Sequence, residues 1–188
     1  CRGFINAKEG IADSVTASLA RMDNIRARIP ASDTGKVAKN VVSSYSAFNN
    51  LLRSEWLLSN GRSQDALSTR LKTGPRALTS KGFGPKAGVE NWNYPSSLPV
   101  MVDIVPRAYI ALGQLDSAIV AYERAVKLPG SIFPRYHYRL AQVYELKGLK
   151  AKAIAEYEKF LKIWEKADPI YKEPADARAR LARLKGKM

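Results

Sequence analysis

The sequence predicts an all-α fold: a right-handed solenoid of antiparallel helix hairpins closed by a C-terminal capping helix. Three observations predict it. One phrase recurs, G-Q-L-D-S-A-I-V-A-Y-E-R-A-V at 113–126 and G-L-K-A-K-A-I-A-E-Y-E-K-F-L at 148–161, with its copies 35 residues apart. Self-similarity at such a period is the mark of a repeat array. Within each copy the apolar residues fall at helical steps, from Ala118 to Tyr122 and Ala125, and from Ala153 to Tyr157 and Phe160. No segment shows the alternating pattern of a strand.

Each residue of the phrase has a physical task. Gly113 and Gly148 end the first helix of a pair, where the chain needs a positive φ. Ala118 and Ala153, five residues on, let the two helices approach closely. One hairpin cannot bury the stripe that follows, so neighbours must stack. Upstream, Gly61 and Ala66 keep the five-residue spacing, but Arg70 stands where the tyrosine belongs. A fainter trace begins at Gly10, with Val15 at the alanine position. The reading is four hairpins, the upper two degenerate.

In chain order, residues 4–29 read as one or two helices carrying Ile11, Val15, Leu19, Met22 and Ile25 at three- and four-residue steps. Pro30 and the stretch 31–35 break them, and Asp33 or Thr34 can cap the next helix. That helix runs from about Lys36 to Asn60, and 62–72 forms its partner. Residues 74–98 collect glycines, prolines and the aromatics Phe83, Trp92 and Tyr94, which reads as an insertion folding back on the array or as part of a ligand-facing wall. The next helix contains Pro106. Either it starts near Val105 with Pro106 in its first turn, or it runs from about Leu98 with a kink, which the spacing of Val102, Val105 and Tyr109 favours. The second helix of the last copy is expected to run through Trp164 to Ala167, where Asp168-Pro169 stops it. Residues 174–185 form the final helix, expected to lay Ala175, Ala179 and Ala182 on the array and to turn Arg178, Arg180 and Arg183 outward. The expected division is therefore 1–76 degenerate hairpins, 77–98 irregular insertion, 99–168 two clear repeats and 169–188 capping helix.

These features resemble the tetratricopeptide repeat, a helix-turn-helix unit of about 34 residues. The run P-R-Y-H-Y-R-L-A-Q-V-Y-E-L-K-G-L-K-A-K-A-I-A-E-Y-E-K-F-L-K-I-W-E-K-A-D-P at 134–169, followed by A-D-A-R-A-R-L-A-R-L at 175–184, looks like the C-terminal end of bacterial multi-domain proteins of that family. The resemblance implies a non-catalytic protein-interaction scaffold whose first helices line a concave groove. Carried over by position, the groove takes Arg135, Tyr138, Arg139, Gln142 and Glu145 from the last copy. Asp103, Arg107, Ile110 and Ala111 come from the copy before, and Phe48, Leu51, Glu55 and Leu58 from the degenerate one. Arg107, Arg135, Tyr138, Arg139 and Gln142 are the expected partner-binding residues, because guanidinium forks and an aromatic ring suit an acidic or extended peptide.

Composition narrows the function classes. The 188 residues carry 31 basic and 17 acidic side chains, a net charge of +14. Such a field also fits a basic surface that binds nucleic acid or an anionic membrane, the alternative function. No apolar run approaches the roughly 18–20 residues of a membrane span. One cysteine and one histidine leave no disulfide and no expected metal site, and no cofactor is expected. His137 reads as a packed or solvated helix residue. Pro30 and Val37 defeat the phosphate-loop pattern around Gly35-Lys36, and no nucleophile-elbow, zincin or paired-cysteine motif is present. No enzyme is expected. The chain starts at Cys1, which suits either the C-terminal part of a longer cytoplasmic protein or a processed lipoprotein anchored through Cys1.

Overall fold

A computed structural model describes residues 12–28, 36–72, 103–127 and 134–186. The expectations for Cys1, for the trace at Gly10, for capping by Asp33 or Thr34, and for the insertion with Phe83, Trp92 and Tyr94 lie outside these residues. Among the described residues every element is a helix: α1 (Ala12–Ala27), α2 (Lys36–Ser59), α3 (Ser63–Lys72), α4 (Ile104–Ala111), α5 (Leu115–Val126), α6 (Pro134–Leu146), α7 (Lys150–Ile163) and α8 (Glu173–Lys185). They fall into two compact units, residues 1–112 and 113–188.

In the first unit α2 packs on α1 and α3, and α3 packs on α4. Three of the apolar steps of α1 do what their spacing predicts, since Val15 is buried against Leu52 with Leu19, Met22 and Trp56 around them, and Ile11 lies outside the described residues. The other side of α2 places Leu51 against Ile104 of α4, with Leu58 beside them. In the second unit α6 packs on α5 and α7, and α8 lies on α7 and α6. Its core is aromatic: Tyr122, Tyr136, Tyr144, Tyr157 and Phe160 are all buried.

The recurring phrase performs as its chemistry requires. Gly61, Gly113 and Gly148 have φ of 74°, 72° and 77°, and no other described residue has a positive φ. At Gly148 the amides of Gly148 and Leu149 donate to the carbonyls of Glu145 and Tyr144, at 3.0 and 2.8 Å. Gly61 and Arg62 repeat the arrangement onto Leu58 and Leu57. This is the Schellman closure, which satisfies the last carbonyls of a helix through a left-handed residue. Ala66, Ala118 and Ala153 are fully buried, as close helix approach demands.

Three details differ from expectation. The helix before Gly113 starts at Ile104, not near Leu98, so Pro106 sits in the first turn and kinks nothing. An amide in that turn has no intrahelical acceptor, so proline sacrifices no bond there. The helix bearing Phe160 ends at Ile163, and Trp164 is its cap residue. Finally, α8 is rotated from the expected pose. It buries Pro174 and Ala177 and half-buries Arg180, Leu181 and Leu184, while Ala175, Ala179 and Ala182 face outward. Three methyl groups offer little apolar area, whereas Arg180 finds Glu145 on the array.

Candidate interaction surface

The expected site residues of the last copy share α6, and helical geometry sorts them. Tyr136, Leu140, Ala141, Val143 and Tyr144 take the buried faces, which leaves Arg135, Arg139 and Gln142 along one edge at steps of four and three. Tyr138 lies between, its ring buried against Phe160 (centroids 5.2 Å apart) and its hydroxyl at the edge of α8.

A chain of hydrogen bonds joins this edge to α8. Arg139 donates to the Gln142 carbonyl oxygen at 3.3 Å, and the Gln142 amide donates to the Tyr138 hydroxyl at 2.9 Å. Tyr138 in turn donates to Asp176 Oδ2 at 2.6 Å. Arg180 bridges Asp176 (2.6 Å) and Glu145 (3.0 Å). Glu145 also accepts from Tyr157 at 2.9 Å and from Arg183. Eight side chains from three helices are thus held by charged or polar partners.

The electrostatics follow from these contacts. Burial pushes the Tyr138 hydroxyl up to about 12, and the adjacent Asp176 carboxylate adds to the effect. Burial and the bond to Glu145 likewise push Tyr157 upward. For the Glu145 carboxyl, burial acts upward, but hydrogen bonds from Arg180, Tyr157 and Arg183 outweigh it and hold it below its ordinary value. Asp176 is lowered in the same way, with Tyr138 and Arg180 overcoming burial. Arg180 is raised, because the two carboxylates outweigh its own desolvation.

Arg135 has a different setting. Its Nε lies 2.9 Å from Glu173, while its guanidinium stands 5.6 Å from the Trp164 ring centre and 5.4 Å from that of Tyr171. These two rings stack on one another at 5.0 Å. The Arg135 side chain keeps 45% of its surface in solvent, so the cation is oriented but open. A guanidinium over aromatic faces is the arrangement that cation–π attraction favours.

Arg107 belongs to the other compact unit. There it donates to both oxygens of Glu55, at 2.9 and 3.0 Å, and to Asp103 at 3.4 Å. Glu55 is wholly buried, so this fork supplies its counter-charge. His137, read as a packed helix residue, contacts Glu156 Oε2 through Nδ1 at 2.7 Å, and Lys159 donates to the other oxygen of Glu156. Among the described residues no group of three His, Cys, Asp or Glu side chains could hold a metal ion, and no helix is long and apolar enough to cross a membrane.

Sequence reasoning missed two features. The Arg135–Trp164–Tyr171 cluster was hidden because Tyr171 lies beyond Pro169, outside the repeat period. The inward role of Arg180 was hidden by an assumption that arginine faces water. Its spacing of four from Asp176 was the available signal.

The tetratricopeptide repeat family model matches residues 107–131 and 134–164, which hold α4 to α7 apart from the first residues of α4. No curated protein and no solved structure gives a significant match to the chain. The all-helical hairpins and the family match together give a tetratricopeptide-like helical repeat fold. Repeats of this family suggest a protein-interaction scaffold and are generally not catalytic.

Proposed function

Proceeding from a chain that carries tetratricopeptide repeats, we propose that it is a non-catalytic scaffold that docks an acidic, extended peptide on the exposed edge of α6. One observation carries the reading. Arg135 and Arg139 stand one turn apart on the first helix of the better-defined repeat, both open to solvent. Arg135 is oriented by Glu173, Trp164 and Tyr171, and Arg139 by Gln142 and the Tyr138 ring 5.9 Å away. Cations held in place lose less entropy on binding than free surface arginines do. Planar donors beside aromatic rings are also the residue types enriched at interface hot spots. Tyr138 and Gln142 act as the base that fixes the edge, whereas Arg107, expected on the same surface, lies in the other compact unit and is taken up by buried Glu55. The likeness of 134–169 and 175–184 to bacterial multi-domain proteins further supports service within a larger bacterial protein.

The test starts from acidic peptides selected against the purified chain. Arg135→Ala with Arg139→Ala should weaken their binding at least tenfold, because two charge-assisted contacts are lost. Arg178→Ala, on the exposed side of α8, should leave affinity within twofold. Equal losses in both variants, with affinity collapsing steeply as salt rises, would instead favour the basic-surface alternative, since counterion release governs polyanion binding.

A further inference from the structure

Between α1, α2 and α3 the first unit forms an open cavity of about 360 Å³, on the side of α2 away from the Leu51–Ile104 contact. Small-molecule sites begin at about this size. Half-buried Leu19 and Trp56 give it its apolar surface, with Val15 and Leu57 buried behind them. The polar lining is unbalanced. Asp65 is the one carboxylate among the lining residues, and it is engaged by Arg62 at 2.7 Å. Arg53 and Lys72 also line the cavity, and neither has an ion-pair or hydrogen-bond partner among the described residues. Trp56 adds an indole whose buried Nε1 has no acceptor among the described residues. A buried donor without an acceptor is costly and uncommon.

We propose that this cavity is a binding site for a small organic carboxylate with an apolar body. The apolar surface takes the body. The carboxylate meets the Arg53 and Lys72 cations and supplies the acceptor that Trp56 Nε1 lacks. A bare inorganic anion would make no use of the half-buried Leu19 and Trp56 side chains, and a neutral molecule would bring the two cations no counter-charge. This site goes beyond the peptide-docking edge of α6 and does not depend on it, because it is built from a different unit and other residues.

Nuclear magnetic resonance of the full chain tests it, with the ¹⁵N-labelled Trp56 indole as the reporter, assigned through Trp56→Phe. Phenylacetate is the probe, with phenylacetamide and inorganic phosphate as comparisons. The expected result is a saturable shift of the Trp56 indole with phenylacetate. The affinity should be at least tenfold weaker for either comparison, and also for phenylacetate with the Arg53→Gln, Lys72→Gln variant. Both variant positions are exposed, and an unchanged thermal midpoint checks that the variant folds. The proposal is overturned by an unsaturable or absent shift, by phenylacetamide or phosphate binding equally well, or by undiminished binding in the variant.

Discussion

The hairpin α2–α3 and the hairpin α6–α7 share one backbone plan and differ in chemistry. Both turn on a glycine at positive φ, Gly61 or Gly148, and both bury an alanine five residues later, Ala66 or Ala153. Nine residues after the glycine they part. Tyr157 is buried and donates to Glu145, three residues before its own glycine. At the same places the upper hairpin has Arg70 and Leu58, and a leucine side chain offers no acceptor. Burial lowers the Arg70 pKa, and its Nε has no partner among the described residues. The backbone plan therefore survives the loss of the tyrosine, because turn and close approach depend on glycine and alanine alone. What changes is how the polar groups on the first helix are satisfied.

A second register position makes the same point. Glu55, Arg107 and Gln142 each lie six residues before a repeat glycine. In the first unit this position carries a buried ion pair between α2 and α4, and in the second it carries a neutral amide in a network closed by α8. Removing Glu55 should therefore have a large effect. Glu55→Ala leaves Arg107, only 23% exposed, without its main partner, and should cost about 3 kcal/mol, read as a fall in the denaturation midpoint. Glu173→Ala breaks the more open pair with Arg135 and should cost under about 1 kcal/mol. Equal effects would mean that burial does not separate the two pairs.

The alanine positions should respond alike in both hairpins, which sharpens the claim of a shared plan. Ala153→Leu and Ala66→Leu each force a larger side chain into a fully buried contact, and each should cost about 1–3 kcal/mol. An unchanged thermal midpoint in either variant would place that alanine outside the helix contact.

Acid should act on the second unit with a smaller effect. Glu145, Asp176 and Glu156 are all held below their ordinary values in the second unit. A carboxyl lowered by folding stabilises the fold fully above its unfolded value, and that contribution is lost as pH falls through the folded value. Amide exchange in α6 to α8 should therefore accelerate as pH falls below the ordinary carboxylate range, after correction for the intrinsic pH dependence of exchange. Asp176→Asn should flatten part of that change. A protection profile that is flat down to strong acid would show that these contacts contribute nothing.

Most of the backbone plan was legible in the sequence, because Gly61, Gly113, Gly148 and the alanines after them each have one conformational task that few residues fulfil. The polar connections were less legible. The rotation of α8 depends on where Glu145 and Tyr138 present their oxygens, which is set by two other helices and leaves no local pattern in 174–185. The start of α4 was ambiguous for a similar reason, since Val102, Val105 and Tyr109 fit a helix of either length while only packing chooses between them. The edge of α6 was nameable by position. The rings of Trp164 and Tyr171 that orient Arg135 were not, because they meet across a turn.

The central claim, one backbone plan with opposite chemistry at the ninth position after the glycine, is tested most directly by thermal denaturation of two matched variants of the full chain. Tyr157→Leu removes a buried ring and the donor to Glu145, and should lower stability by about 2–4 kcal/mol. Arg70→Leu replaces a desolvated cation whose Nε lacks an acceptor, and should leave stability unchanged or raise it by up to about 1 kcal/mol. A fall of equal size in both variants would contradict the account, since it would show that Arg70 holds its hairpin as firmly as Tyr157 holds the other.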